Sequence, residues 1–156
     1  MPRFIFPKLR RYTPVAATCL FVFLLAGCGD GRGVRVPVSG VVTIDGKPLA
    51  FGQIMFTPYT EDANNRPGGG SLESDGSYRV SAYTAYDGLP PGRYRVAITG
   101  TEYISDTAQR WHSPQKYSQL DTSGLTAEIE ESTDSLNFDL SWEGESPSEP
   151  WVEKGI

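Results

Sequence analysis

Arg93-Tyr94-Arg95-Val96-Ala97-Ile98-Thr99, introduced by Leu89-Pro90-Pro91-Gly92, is the stretch on which the fold turns. Tyr94, Val96 and Ile98 alternate with two arginines, the period-two pattern of a strand with one face on a core and the other toward water. Pro91-Gly92 sets the entry: proline fixes its own φ and glycine accepts the backbone angles of an abrupt change of direction. The pattern recurs outward from this point. Upstream, residues 36–44 place Val36, Val38, Val42 and Ile44 on one face, and Asp45-Gly46-Lys47-Pro48 supplies the chemistry of a hairpin turn. Residues 51–58 put Ile54 and Phe56 on one side with Phe51 and Met55 on the other, which predicts a central strand covered on both faces. The polar, glycine-rich run Glu61-Asp62-Ala63-Asn64-Asn65-Arg66-Pro67-Gly68-Gly69-Gly70 predicts an exposed loop, with a short strand through Ser71-Leu72-Glu73. Asp75-Gly76 predicts the turn of a hairpin into residues 77–81, where Tyr78 and Val80 share a face. Downstream, residues 125–129 and 136–140 add two more short strands.

About seven short strands at close turn spacing, with no sustained helical period, predict an all-β domain over residues 36–140: a seven-stranded antiparallel Greek-key β-sandwich. Residues 141–156 carry acids and prolines without an apolar period, which predicts a disordered acidic tail.

The first residues have a different character. Arg3, Lys8, Arg10 and Arg11 stand ahead of a twelve-residue apolar run, Val15 to Ala26, with no acid among them. A signal h-region needs roughly 7–15 residues and a bilayer span about 20, so the run reads as a targeting helix rather than part of the fold. It ends in Leu25-Ala26-Gly27-Cys28, which resembles a lipobox. That resemblance implies cleavage of the 1–27 signal peptide between Gly27 and Cys28, diacylglycerol on the Cys28 thiol, and a further acyl chain such as palmitate on the new amino terminus. Residues 28–35 would form a tether, and the protein would sit outside the cytoplasm on the cell membrane or outer membrane as a lipoprotein of the cell envelope.

The whole chain holds 14 Lys plus Arg against 19 Asp plus Glu, a net charge of -5. Loss of the four leader cations deepens the acidity, which disfavours nucleic acid as a partner. Of the two cysteines, Cys19 would leave with the leader and Cys28 would carry lipid. No disulfide framework or thiolate metal site is then expected.

The ordered motifs in the body resemble the carboxypeptidase regulatory-like domain. They are Val38-Ser39-Gly40-Val41-Val42-Thr43-Ile44-Asp45-Gly46-Lys47-Pro48-Leu49, Ile54-Met55-Phe56-Thr57-Pro58, Asp75-Gly76-Ser77-Tyr78 and Leu89-Pro90-Pro91-Gly92-Arg93-Tyr94-Arg95-Val96. The resemblance implies a transthyretin-like (prealbumin-like) sandwich that accompanies enzymes rather than performing their chemistry. Pro114-Gln115-Lys116-Tyr117 and Ser123-Gly124-Leu125-Thr126 further resemble small bacterial lipoproteins carrying this domain alone.

Catalytic chemistry is weakly represented. His112 is the single histidine, and its surroundings lack a nucleophile elbow or an oxyanion-hole pattern. The acid pairs Glu61-Asp62 and Glu128-Ile129-Glu130-Glu131 read as solvated surface, and no calcium loop or nitrogen–sulfur metal set can be written. A self-made isopeptide bond is not expected, because residues 36–44 hold no lysine. We therefore expect no catalytic residues, metal or cofactor. The alternative is a transthyretin-like hydrolase of a small cyclic substrate, which resembling enzymes serve with several histidines. Tyr103, Trp111, His112, Lys116 and Tyr117 gather aromatics and a cation outside the strand pattern. They fit a ligand-binding surface for envelope polysaccharide or protein, or, more plainly, Trp111 and Tyr117 pin a long crossover onto the sandwich. The sequence thus predicts a noncatalytic binding or structural module attached to a membrane through its lipid.

Overall fold

The computed structural model describes residues 33–59, 66–106, 108–144 and 151–152, with backbone alone for the last pair. The chain divides into two compact units, Met1–Arg32 and Gly33–Ile156. The expected signal peptide, with Gly27 and Cys28, falls in the first and lies outside the described residues, so the fold here is that of the second.

Alternating small and branched residues make β1 (Ser39–Ile44) the centre of one sheet, with every second residue buried. Asp45 (φ 48) and Gly46 (φ 75) are both left-handed, as a two-residue type I′ turn requires, and they return the chain into the short β2 (Lys47–Pro48). β3 (Gln53–Pro58) and β4 (Gly68–Ser71) belong to a second sheet, whereas β5 (Ser77–Arg79) pairs antiparallel with β1. β6 (Gly92–Thr99) lies against β3 in an antiparallel ladder running from Gln53↔Thr99 to Pro58↔Tyr94. The chain then forms β7 (Thr101–Ser105), β8 (Ala108–Trp111), a 3-10 turn (Gln115–Ser118) and a single helical turn, α1 (Leu120–Ser123). β9 (Leu125–Ile129) completes the second sheet in the order β4-β3-β6-β9, and β10 (Phe138–Leu140) joins the first beside β1. The structure is all-β, built mainly of antiparallel pairs with almost no helix.

The two sheets share one core. Tyr94, Val96 and Ile98 are fully buried, as their alternation predicts, together with Phe56. The Phe56 ring lies 6.2 Å from Tyr78 and 6.3 Å from Phe138, both on the first sheet, and 6.3 Å from Tyr94 on its own. The buried phenols satisfy their polar ends on backbone: Tyr94 Oη donates to the Pro90 carbonyl at 2.7 Å and Tyr78 Oη to the Leu136 carbonyl at 2.5 Å. Burial pushes the Tyr94 hydroxyl up to about 12 and the Tyr78 hydroxyl higher still.

Several sequence expectations change. β3 is central, but only one of its faces is covered along its length: Ile54 and Phe56 are buried, whereas Gln53 and Met55, the latter at 53%, are exposed. Gly68, Gly69 and Gly70, expected in a loop, form β4. A Cβ at Gly69 would stand 2.5 Å from the Ile54 carbonyl oxygen, and one at Gly70 would overlap the Arg79 carbonyl. The glycines are there for close backbone approach rather than flexibility. Gly69 also exchanges backbone hydrogen bonds of 3.0 and 2.9 Å with Ser81, tying the sheets together along this edge. Asp75-Gly76 turns the chain back as expected, with Glu73 N donating to the Ser77 carbonyl at 2.9 Å and Gly69 bridged to Ser81, while the β5 residues between them pair with β1. β10 runs parallel to β1, against the expected purely antiparallel arrangement. The tail is held at its start, where Ser141 N donates to Tyr117 Oη at 3.3 Å and Trp142 packs on the core. Trp151–Val152 forms β11, paired with β8.

The loop after β5 is organised by one carboxylate. Asp87 accepts from the backbone N–H of Ala82 at 2.8 Å and those of Tyr83 and Thr84 at 3.2 Å, and meets Arg35 Nε at 3.1 Å. Burial works to raise its pKa, but the three N–H donors and Arg35 outweigh it and hold the group below the usual Asp range. A depressed folded pKa contributes stability above the unfolded value, lost as pH falls through the folded one. Asp87→Asn should therefore lower the urea midpoint at neutral pH, with the difference from the parent shrinking on acidification.

At Gly40 an added Cβ would overlap the Leu136 carbonyl, whereas at Gly46 (φ +75) it would meet nothing within 4 Å. Gly40→Ala should cost about 2–3 kcal/mol in urea unfolding, and Gly46→Ala about 1 kcal/mol from backbone strain alone. Equal effects would contradict this packing.

Candidate functional site

β6 passes through Gly100 straight into the β7–β8 hairpin, and the junction is pinned. Gly100 N donates to Ser113 Oγ at 3.1 Å, His112 N donates to the Gly100 carbonyl at 2.6 Å, and Ser113 is fully buried. A side chain at Gly100 would press on Ser113 Oγ at 2.8 Å. The long crossover expected over residues 100–124 is thus a hairpin followed by two short helical turns.

Cross-strand pairing sets which side chains share a face. Thr101 pairs with Trp111, Glu102 with Arg110 and Tyr103 with Gln109. Thr101, Tyr103 and Trp111 border an open groove of about 680 Å³, whose other walls include Phe51, Gln53, Ser71, Thr99 and Ser118. Tyr103 is 80% exposed and Phe51 42% exposed, so aromatic surface faces solvent.

Glu102, one position out of phase, belongs to a different cluster. Its Oε2 lies 2.9 Å from His112 Nε2 and 3.3 Å from Arg110 NH1. The hydrogen bond from His112, aided by Arg110, holds the Glu102 carboxyl below the ordinary Glu range. The His112 ring in turn stacks obliquely on Phe51, with centroids 5.1 Å apart. Phe51 is thereby fixed to the hairpin.

The five residues singled out from sequence separate into three places. Tyr103 and Trp111 border the groove. His112 stands behind it and steadies Phe51. Tyr117 is buried in the core, and Lys116 lies 4.7 Å above its ring while reaching Glu143 at 2.6 Å. The last two anchor the 3-10 turn and the segment after β10, as the plainer reading of Tyr117 expects. Phe51, Gln53, Ser71 and Thr99 were missed; the exposed apolar Phe51 just ahead of a strand was the one available signal. Among the described residues no group of three or more His, Cys, Asp or Glu side chains is placed to hold a metal.

A second cavity of about 580 Å³ lies across Ser71 and differs in chemistry, because Glu73 and Arg79 line it. Arg79 also sits over the Tyr86 ring at 5.3 Å.

No family model, curated protein or solved structure matches this chain.

Followed by NMR, the Glu102 carboxyl should titrate below the ordinary Glu range, and His112→Ala should return it most of the way. A Glu102 midpoint unmoved by His112→Ala would contradict the contact.

Proposed function

We propose that this chain is a noncatalytic, lipid-anchored binding module of the cell envelope. Acylated Cys28 holds it on the extracytoplasmic side of the cell membrane or outer membrane. The observation that carries the anchor is the sequence Leu25-Ala26-Gly27-Cys28 closing the largely apolar run Val15 to Ala26, with four cations in front. Two or three acyl chains, at ~0.8 kcal/mol per buried methylene, give a hold far firmer than one myristoyl chain.

In the same reading the body is a carboxypeptidase regulatory-like, transthyretin-like sandwich. Support comes from the motif order, from two facing four-stranded sheets, and from the Tyr94–Pro90 hydrogen bond, which has the form of a tyrosine corner. The binding role is supported by the solvent-facing groove on the β7–β8 hairpin. The noncatalytic reading rests on the sequence around His112, the single histidine, which carries neither a nucleophile elbow nor an oxyanion-hole pattern. A polysaccharide or protein of the envelope is the partner this reading calls for.

Mass spectrometry of the mature N-terminal peptide is expected to find an acylated Cys28, and Cys28→Ser to accumulate uncleaved precursor. A mature terminus elsewhere, or an unacylated protein that leaves the membrane fraction, would overturn the anchor.

A further inference from the structure

We infer that the groove between Phe51, Tyr103 and Trp111 is a binding site for a neutral oligosaccharide. The inference deepens the binding-module reading above and rests on it.

The lining carries the argument. Phe51, Tyr103 and Trp111 supply aromatic surface, while Gln53, Ser71, Thr99, Thr101 and Ser118 supply an amide and four hydroxyls. None of the lining residues is charged, although the chain as a whole is rich in acids. The charges on the hairpin are directed elsewhere, since the alternation of β7 and β8 places Glu102 and Arg110 out of phase with Tyr103 and Trp111. The cavity across Ser71 makes the contrast, with Glu73 and Arg79 in its walls.

Each candidate ligand makes different demands. A charged one would need an opposite charge, because an ion leaving water for an uncharged surface goes uncompensated. A purely apolar one would leave five polar side chains unsatisfied. A neutral sugar satisfies both halves of the lining: its C–H face packs on aromatic rings and its hydroxyls exchange hydrogen bonds with the amide and hydroxyl groups. About 680 Å³ also falls within the roughly 300–1,000 Å³ of small-ligand sites, and the open form admits a chain that continues beyond it. Phe51 is held in place by His112, and His112 by Glu102, so one aromatic wall is positioned before the ligand arrives.

The test uses the mature acylated chain extracted from membranes into detergent micelles, titrated calorimetrically with maltohexaose, cellohexaose, mannohexaose and chitohexaose. Hexagalacturonate serves as the charged comparator. At least one neutral hexamer is expected to bind saturably, and Tyr103→Ala and Phe51→Ala are each expected to weaken it about tenfold, near 1.4 kcal/mol. Tyr103 is so exposed that its removal spares the core. Trp111→Phe should keep most of the calorimetric affinity but lose the ligand-induced tryptophan emission change, and Arg79→Ala, in the charged cavity, should change neither. The inference is overturned if no neutral hexamer binds, if hexagalacturonate binds as well as any of them, or if the groove variants bind like the parent. Capture of an envelope protein through Tyr103 with no sugar binding would overturn the sugar and leave the binding module standing. Sugar binding by a protein found unacylated at Cys28 would do the reverse for the anchor.

Discussion

Phe56 stands where the two sheets meet, and its burial is the constraint on which the rest of the structure depends. A single ring in contact with Tyr78, Phe138 and Tyr94 couples β3 to β5 and β10 across the core and to β6 beside it. Burying it requires the phenols around it to be buried too, and each then needs a polar partner inside the fold. Those partners are backbone carbonyls at Pro90 and Leu136, which fixes the entry to β6 and the approach to β10. The hydrophobic requirement at the centre is thereby turned into positional order at the edges.

Close backbone approach does the remaining work. Gly40 lets β1 lie against the carbonyl of Leu136, and the β4 glycines let two sheets hydrogen-bond along a shared edge. With its own edge closed in this way, the sheet runs on past Thr99 into a hairpin that owes little to the core. That hairpin is fastened at its base by buried Ser113 and stiffened on one face by the Glu102–His112–Arg110 contacts. Its other face is left to the solvent with Tyr103 and Trp111. A fastened base beneath exposed Tyr103 and half-buried Trp111 suits recognition, since less ordering remains for the ligand to impose.

The helical turns after β8 serve a separate end. Tyr117 is held in the core while its hydroxyl accepts from Ser141 N, and Lys116 engages Glu143. These contacts bring the chain after β10 back onto the domain and explain why Lys116 and Tyr117 do not face the groove.

The sequence by itself determined the all-β class, the buried faces of β1 and β6, and the turn at Asp45-Gly46, because period-two burial and left-handed turn geometry are local properties that individual residues report. It also placed Tyr103 and Trp111 outside the core pattern. Only the tertiary structure decided that Gly68 to Gly70 form a strand, that β5 and β10 flank β1, and that Met55 is uncovered. Each depends on what another part of the chain brings alongside, and a glycine shows in sequence only that space is free, never what fills it. The groove belongs to the same class: Phe51 and Ser71 lie far from the hairpin along the chain, and strand pairing together with the Phe51–His112 ring contact sets them beside Tyr103 and Trp111.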